Sequence, residues 1–248
     1  MMKFLKNHSL LLLAAVGGVA VMILRLFHLA TVNEAGLLAS DHFAGILAVI
    51  LSVAIPAVLL WRSLVLPKDT VCRFPASTVA AAGCGIGALG ITYAAVVLSQ
   101  NSVTTLSSVV AVLGAIAALA LLGIAFCRFK GLAANVLYHG AVCLFFIVLL
   151  LCQYQLWSSV PQLQLYIYSI LATIALMIGG YHRACFDGKM GQLPLYTFFR
   201  CVSIFFCLAA IPGCDLWILY LAGAVWSATD ILNLSAEAPV PDAPEEGG

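Results

Sequence analysis

The chain has 248 residues, of which 64% are hydrophobic and only 8% charged, with a formal net charge of +1. An average soluble protein carries roughly 25% charged residues, so a globule covered by water is excluded. Lipid must cover most of the surface, which leaves helices or a closed barrel; a nucleic-acid-binding face is excluded by the near-zero net charge and by basic residues scattered over several loops.

The apolar runs are unbroken and about 20 residues long, whereas barrel strands would alternate over about ten. They predict an all-α, polytopic integral membrane helical bundle of eight transmembrane helices with short loops. The first run, residues 9–30, follows Lys3 and Lys6. Gly18-Val19-Ala20 would pass as a signal-peptide cleavage site, but the run exceeds the usual apolar region of about 7 to 15 residues and reads as a retained span. Arg25 and His28 lie in its last turns, followed by Glu34 and then by Asp41 and His42 at the start of the second run, residues 42–61. These five residues form a candidate outer polar site for a polar solute or ion, because a charge inside lipid is costly unless it meets water or a partner. The structural alternative is that Arg25 snorkels to pair with Glu34 or Asp41, while Ser40 or Asp41 caps the second helix. Pro56 removes the backbone hydrogen bond to Ser52 and predicts a kink.

Residues 76–127 are apolar almost throughout. As one helix they would extend about 75 Å, against a hydrocarbon core of about 30 Å, so they must fold back. Gln100-Asn101-Ser102 is the polar cluster near the centre, giving spans at 76–99 and 103–127. Gly85, Gly87 and Gly90 imitate a dinucleotide-binding fingerprint but lack the strand before and the soluble helix after that it requires. Gly83 and Gly87 instead offer a small-xxx-small face for close helix approach. Ser107 or Ser108 could pair with His139 as a nucleophile and base, though no diagnostic context accompanies them.

The fifth and sixth spans are read at 132–152 and 163–181. Asn135 and His139 stand four apart on one helical face, and His182-Arg183 close the sixth span at similar depth. Between the two spans Gln153, Gln155, Gln162 and Gln164 interleave with Tyr154, Trp157 and Tyr166. Such a segment reads as an aromatic belt at the membrane interface. Pro212-Gly213 separates the last two spans, 193–211 and 216–232. Counted from that turn, Arg200 and Asp230 differ in depth by about 7 Å, within reach of an arginine side chain. Asn135, His139, His182, Arg200 and Asp230 therefore make a candidate inner polar site, with a structural ion pair as the alternative. Residues 235–248, rich in Pro, Ala, Gly and Glu, read as a disordered acidic cytoplasmic tail.

Charge placement tests the span count. With the N-terminus inside, the cytoplasmic side holds Lys3, Lys6, Arg62, Lys68, Arg73, Arg128, Lys130, Arg183, Lys189 and Arg200, and only Arg25 falls outside. That asymmetry is the positive-inside pattern. It predicts both termini in the cytoplasm, and the protein is expected in the cell membrane. Nine cysteines are scattered without a Cys-x-x-Cys pair, so no metal site or cofactor is expected, although Cys152 and Cys214 lie nearest the outer surface and could meet. Many short-looped spans, two polar clusters and Pro56 suggest a small-solute permease or a membrane subunit of a transport system. The rival is a non-catalytic scaffold or accessory protein, and a membrane-embedded enzyme comes third. Expected partners are membrane lipid and either a small polar solute or a partner membrane protein.

Overall fold

The computed structural model describes residues 2–31, 42–66, 71–73, 75–100, 105–157 and 166–237. Among the described residues eight helices follow one another: α1 (Met2–Leu29), α2 (Phe43–Leu64), α3 (Thr78–Gln100), α4 (Thr105–Lys130), α5 (Val136–Trp157), α6 (Ile167–Asp187), α7 (Leu193–Ala210) and α8 (Trp217–Leu232). The first seven are long and apolar enough to cross a membrane. The molecule is a polytopic membrane helical bundle. With 16 residues, α8 is about 24 Å long and falls short of a full hydrocarbon core. It packs between α3 and α7, with Trp217, Leu221 and Leu232 left exposed.

Both predicted fold-backs are present. α3 ends at Gln100 and α4 begins at Thr105, while residues 101–104 lie outside the described residues. Between α7 and α8, Gly213 takes a positive φ of 71°, a conformation a side chain would disfavour. α2 remains helical through Pro56. Its N-cap is His42, whose Nδ1 accepts from the Ala44 N–H at 3.3 Å, so neither Ser40 nor Asp41 fills that position.

Helix contacts close a ring in the order α3, α4, α5, α6, α7, α8 and back to α3, with α1 and α2 attached to α7 outside it. Small residues set the tightest seam. A Cβ on Gly83 would fall 1.8 Å from Thr229 Oγ1, and one on Gly90 would fall 2.5 Å from the Ala222 Cβ, so α3 and α8 approach almost backbone to backbone. The ring axis is filled rather than hollow. Trp226 of α8 reaches towards Gly87 of α3 and Gly180 of α6, Leu176 and the wholly buried Cys207 rest against Gly223, and Phe145 of α5, also wholly buried, lies against Gly114 of α4.

A short antiparallel ribbon joins β1 (Val71–Arg73), after α2, to β2 (Ser235–Glu237), after α8, with Cys72 opposite Ala236. The start of the segment read as a disordered tail is therefore paired strand, and residues 238–248 lie outside the described residues. Asn233 Nδ2 adds a bond to the Pro75 carbonyl at 3.2 Å. The connection after α2 and the segment after α8 thus occupy one end of the bundle, as an even number of crossings requires.

Candidate functional site

The buried polar residues sort into two layers across the ring, and the inner one is where charge gathers. Arg200 of α7 donates from Nη2 to Asp230 Oδ2 of α8 at 2.6 Å and from Nη1 to Ser227 Oγ at 3.4 Å. Its guanidinium lies 4.5 Å from the centre of the Trp226 ring and 5.8 Å from that of Tyr196. The side chains of Arg200 and Asp230 are 0% and 3% exposed, so no water-sized space touches the arginine. This is the pair anticipated from depth arithmetic, and it supplies what a desolvated ion pair needs: opposite charge, hydrogen bonds and an aromatic face.

The other inner candidates divide. His139 is buried, and its Nε2 lies 2.7 Å from Asp187 Oδ2, the last residue of α6. An ionised carboxylate only accepts, so Nε2 carries the proton in that contact. Arg128 of α4 donates to the same carboxylate oxygen. Asn135, by contrast, is exposed and caps α5 by accepting the Leu137 N–H at 3.0 Å, so it does not share a site with His139 despite the helical spacing. His182 is half-buried and stacks on Phe199 with ring centres 4.9 Å apart, away from the Arg200 pair. Ser107 sits near the start of α4, about 30 Å along the helix from Arg128 and the His139 cluster, so no serine–histidine pair forms there.

Sequence reasoning missed Asp187 and treated Arg128 as a cytoplasmic loop charge, while it placed Arg183 beside His182 at the depth of the inner site. Both arginines are buried, at 3% and 1% exposure, and the Arg183 guanidinium lies 6.0 Å from the centre of the Tyr196 ring. The inner layer therefore holds three guanidiniums, Arg128, Arg183 and Arg200, against two carboxylates, Asp187 and Asp230. The Asp187–Arg128–His139 contact ties α4, α5 and α6, and the Arg200–Asp230 pair ties α7 and α8.

A second polar layer lies towards the other end. Gln153 Nε2 donates to Tyr220 Oη at 2.8 Å, Thr173 Oγ1 contacts both Gln153 Oε1 at 3.2 Å and Tyr220 Oη at 3.1 Å, and Tyr220 Oη also bonds the Ser169 carbonyl at 3.1 Å. Gln153 is 2% exposed, so it belongs to the core rather than to the interfacial belt assigned to it; Tyr154, 70% exposed, fits the belt. Gln162 and Gln164 lie outside the described residues. Ten residues separate Thr173 from Arg183, and ten separate Tyr220 from Asp230. The two polar layers are thus about 15 Å apart along α6 and α8, and the Trp226, Leu176 and Phe145 packing fills the interval.

The outer candidates lie outside the ring. Arg25, 5% exposed, donates to the Ala209 carbonyl of α7 and stacks 4.3 Å above the Tyr168 ring of α6. His28 and His42 are parallel, 5.9 Å apart. Glu34 and Asp41 lie outside the described residues. A cavity of about 530 Å³ opens beside Arg25, His28 and Tyr168 and runs along α2. The eight cysteines described, Cys152 and Cys214 included, are free thiols, and no group of three or more His, Cys, Asp or Glu side chains is placed to hold a metal among the described residues. The chain matches no protein-family model, and neither curated proteins nor solved structures give a match.

Proposed function

We propose that the chain is a non-catalytic scaffold or accessory protein of the cell membrane, with both termini in the cytoplasm, whose intramembrane charges lock the bundle rather than line a solute route. One observation carries this reading: the Arg200–Asp230 pair is withdrawn from water at 0% and 3% exposure and lies against the Trp226 packing that fills the ring axis. A permease or transport subunit built on the same charges would need them to meet an aqueous path in at least one state. The orientation rests on the basic residues gathered at one end, and the pairing of β1 with β2 agrees with it by holding the first of those connections beside the segment after α8.

The experiment is a mutant cycle on the pair, read as unfolding free energy and as yield of folded protein in detergent. Removing one partner leaves an uncompensated buried charge and costs about 3–5 kcal/mol, whereas replacing both by apolar groups of similar volume is often neutral. Arg200→Met and Asp230→Leu are each expected to lose most folded protein, and the double variant to recover it. Single variants as stable as the wild type would show that packing does not need the charges and would favour the transport reading.

A further inference from the structure

The first seven helices are all long enough to span a membrane, and α2 is the least buried of them. It rests on α1 and α7, outside the ring. Its two halves are held differently, and Pro56 stands at the boundary. The inner half is pegged. Ile55 fills a notch in α1 at Gly17, where a Cβ would come within 2.6 Å of Ile55 Cδ1, and Leu59 and Ser63, one and two turns further on, are buried. The outer half, residues 43–52, has no such peg, since its buried residues are only Ala44, Gly45 and Ala48. At Gly45 the His28 ring lies directly on the helix backbone, where a Cβ would come within 2.7 Å of it. Small residues of this kind give a smooth face that lets a helix shift without unlocking interdigitated side chains.

The cavity of about 530 Å³ separates this outer half from α6, with Ile46, Val49 and Val53 on one wall and Ile167, Tyr168 and Leu171 on the other. Those three α2 residues are at least half exposed, so the cavity opens sideways onto the surface that lipid covers. Apolar walls lose dispersion contacts wherever nothing fills the space between them, so lipid chains enter or the walls move. Pro56 supplies a pivot for that movement. It has no N–H for the Ser52 carbonyl, so the helix lacks a bond where the pegged half meets the smooth one, and it bends there at lower cost. One turn earlier, Ser52 Oγ donates to the Ala48 carbonyl at 2.6 Å, a back-bond that itself favours bending. The same oxygen is hydrogen-bonded to Tyr168 Oη of α6 at 3.1 Å, which ties the outer half across the cavity.

We propose that residues 43–52 of α2 form a lateral lid on this cavity, pivoting at Pro56 and latched to α6 by the hydrogen bond between Ser52 and Tyr168. With the latch made, the opening is the one described above. With it broken, the outer half swings away from α6 by bending at Pro56, while Ile55 and Leu59 keep the inner half in place. The lid sets how far acyl chains of the bilayer enter between α2 and α6, and it does so whether or not the ring beside it is a scaffold.

The test is double electron–electron resonance on the full chain in lipid nanodiscs, in a cysteine-free background. One spin-label pair, Phe43→Cys with Tyr154→Cys, spans the lid and the outer end of the ring; a second, Trp61→Cys with Tyr181→Cys, spans the pegged half and α6. All four positions are at least 60% exposed. Tyr168→Phe and Ser52→Ala each remove one neutral hydrogen bond, worth about fivefold in an equilibrium. Each is therefore expected to raise the longer-distance population of the outer pair about fivefold and to leave the inner pair unchanged. Pro56→Ala restores the helix bond and is expected to narrow the outer distribution. An outer distance that neither latch variant moves would overturn the proposal, whether that distance is narrow or broad. Equal shifts in both pairs would also overturn it, because the whole helix would then be moving. The two latch variants decide the matter even if Pro56→Ala does not fold.

Discussion

Arg200, Arg128 and Gln153 pose the same problem at the scale of a residue: a polar side chain with almost no water must find its hydrogen bonds within the protein. Gln153 does so with Tyr220 and Thr173. Gln153→Leu would remove both contacts and leave the two hydroxyls with fewer partners, at an expected cost of about 1–3 kcal/mol. Denaturant unfolding in detergent checks this, and an unchanged midpoint would place Gln153 at the surface. The Arg200–Asp230 pair was legible in the sequence because both residues interrupt apolar runs and a shared turn fixes their relative depth. Asp187 was not legible, and neither was the role of Arg128. They sit beside Lys130 and Lys189 at helix ends, where an orientation charge and a buried charge leave the same mark in sequence. Gln153 was hidden similarly: its neighbours Tyr154 and Gln155 are exposed, and period alone does not reveal which residue of a short polar stretch turns inwards.

Among the elements, the seam between α3 and α8 shows how little space separates the helices around the ring. Gly83 faces Thr229, whereas a Cβ on Gly85, two residues on, would meet nothing within 4 Å. Gly83→Ala must push α8 away and is expected to destabilise by about 1–3 kcal/mol. Gly85→Ala, relieved of the helix penalty of glycine, is expected to be neutral or to stabilise by up to about 1 kcal/mol. Thermal unfolding of the two variants side by side gives the comparison, and equal effects would contradict the close seam. Glycine spacing in the sequence marked α3 as a packing helix, and chain length together with polar breaks marked the hairpins. The choice of α8 as the partner was not readable, because apolar faces of similar composition occur on every helix. The shortness of α8 was readable, since the span read at 216–232 differs from the helix by one residue.

Across the whole molecule, the closed ring, the plug of Trp226, Leu176 and Phe145, and the ribbon of β1 with β2 describe a bundle fastened at one end and filled along its axis. Composition and the apolar runs made the membrane bundle and its eight helices legible, seven of them long and apolar enough to cross a membrane. The order of helices around the ring was not, because short loops fix which helices follow one another but not how the ring closes between α3 and α8. The sealed axis is the central claim, and Ser227, wholly buried beside Arg200, reports on it most directly. In a cysteine-free background, Ser227→Cys is treated with a charged, membrane-impermeant thiol reagent from each side of sealed vesicles, with Met190→Cys, 82% exposed in its connection, as the reactive control. The structure predicts that position 190 reacts from one side and position 227 from neither. Modification at 227 from either side, in folded protein, would show that water reaches the ion pair and would contradict the account.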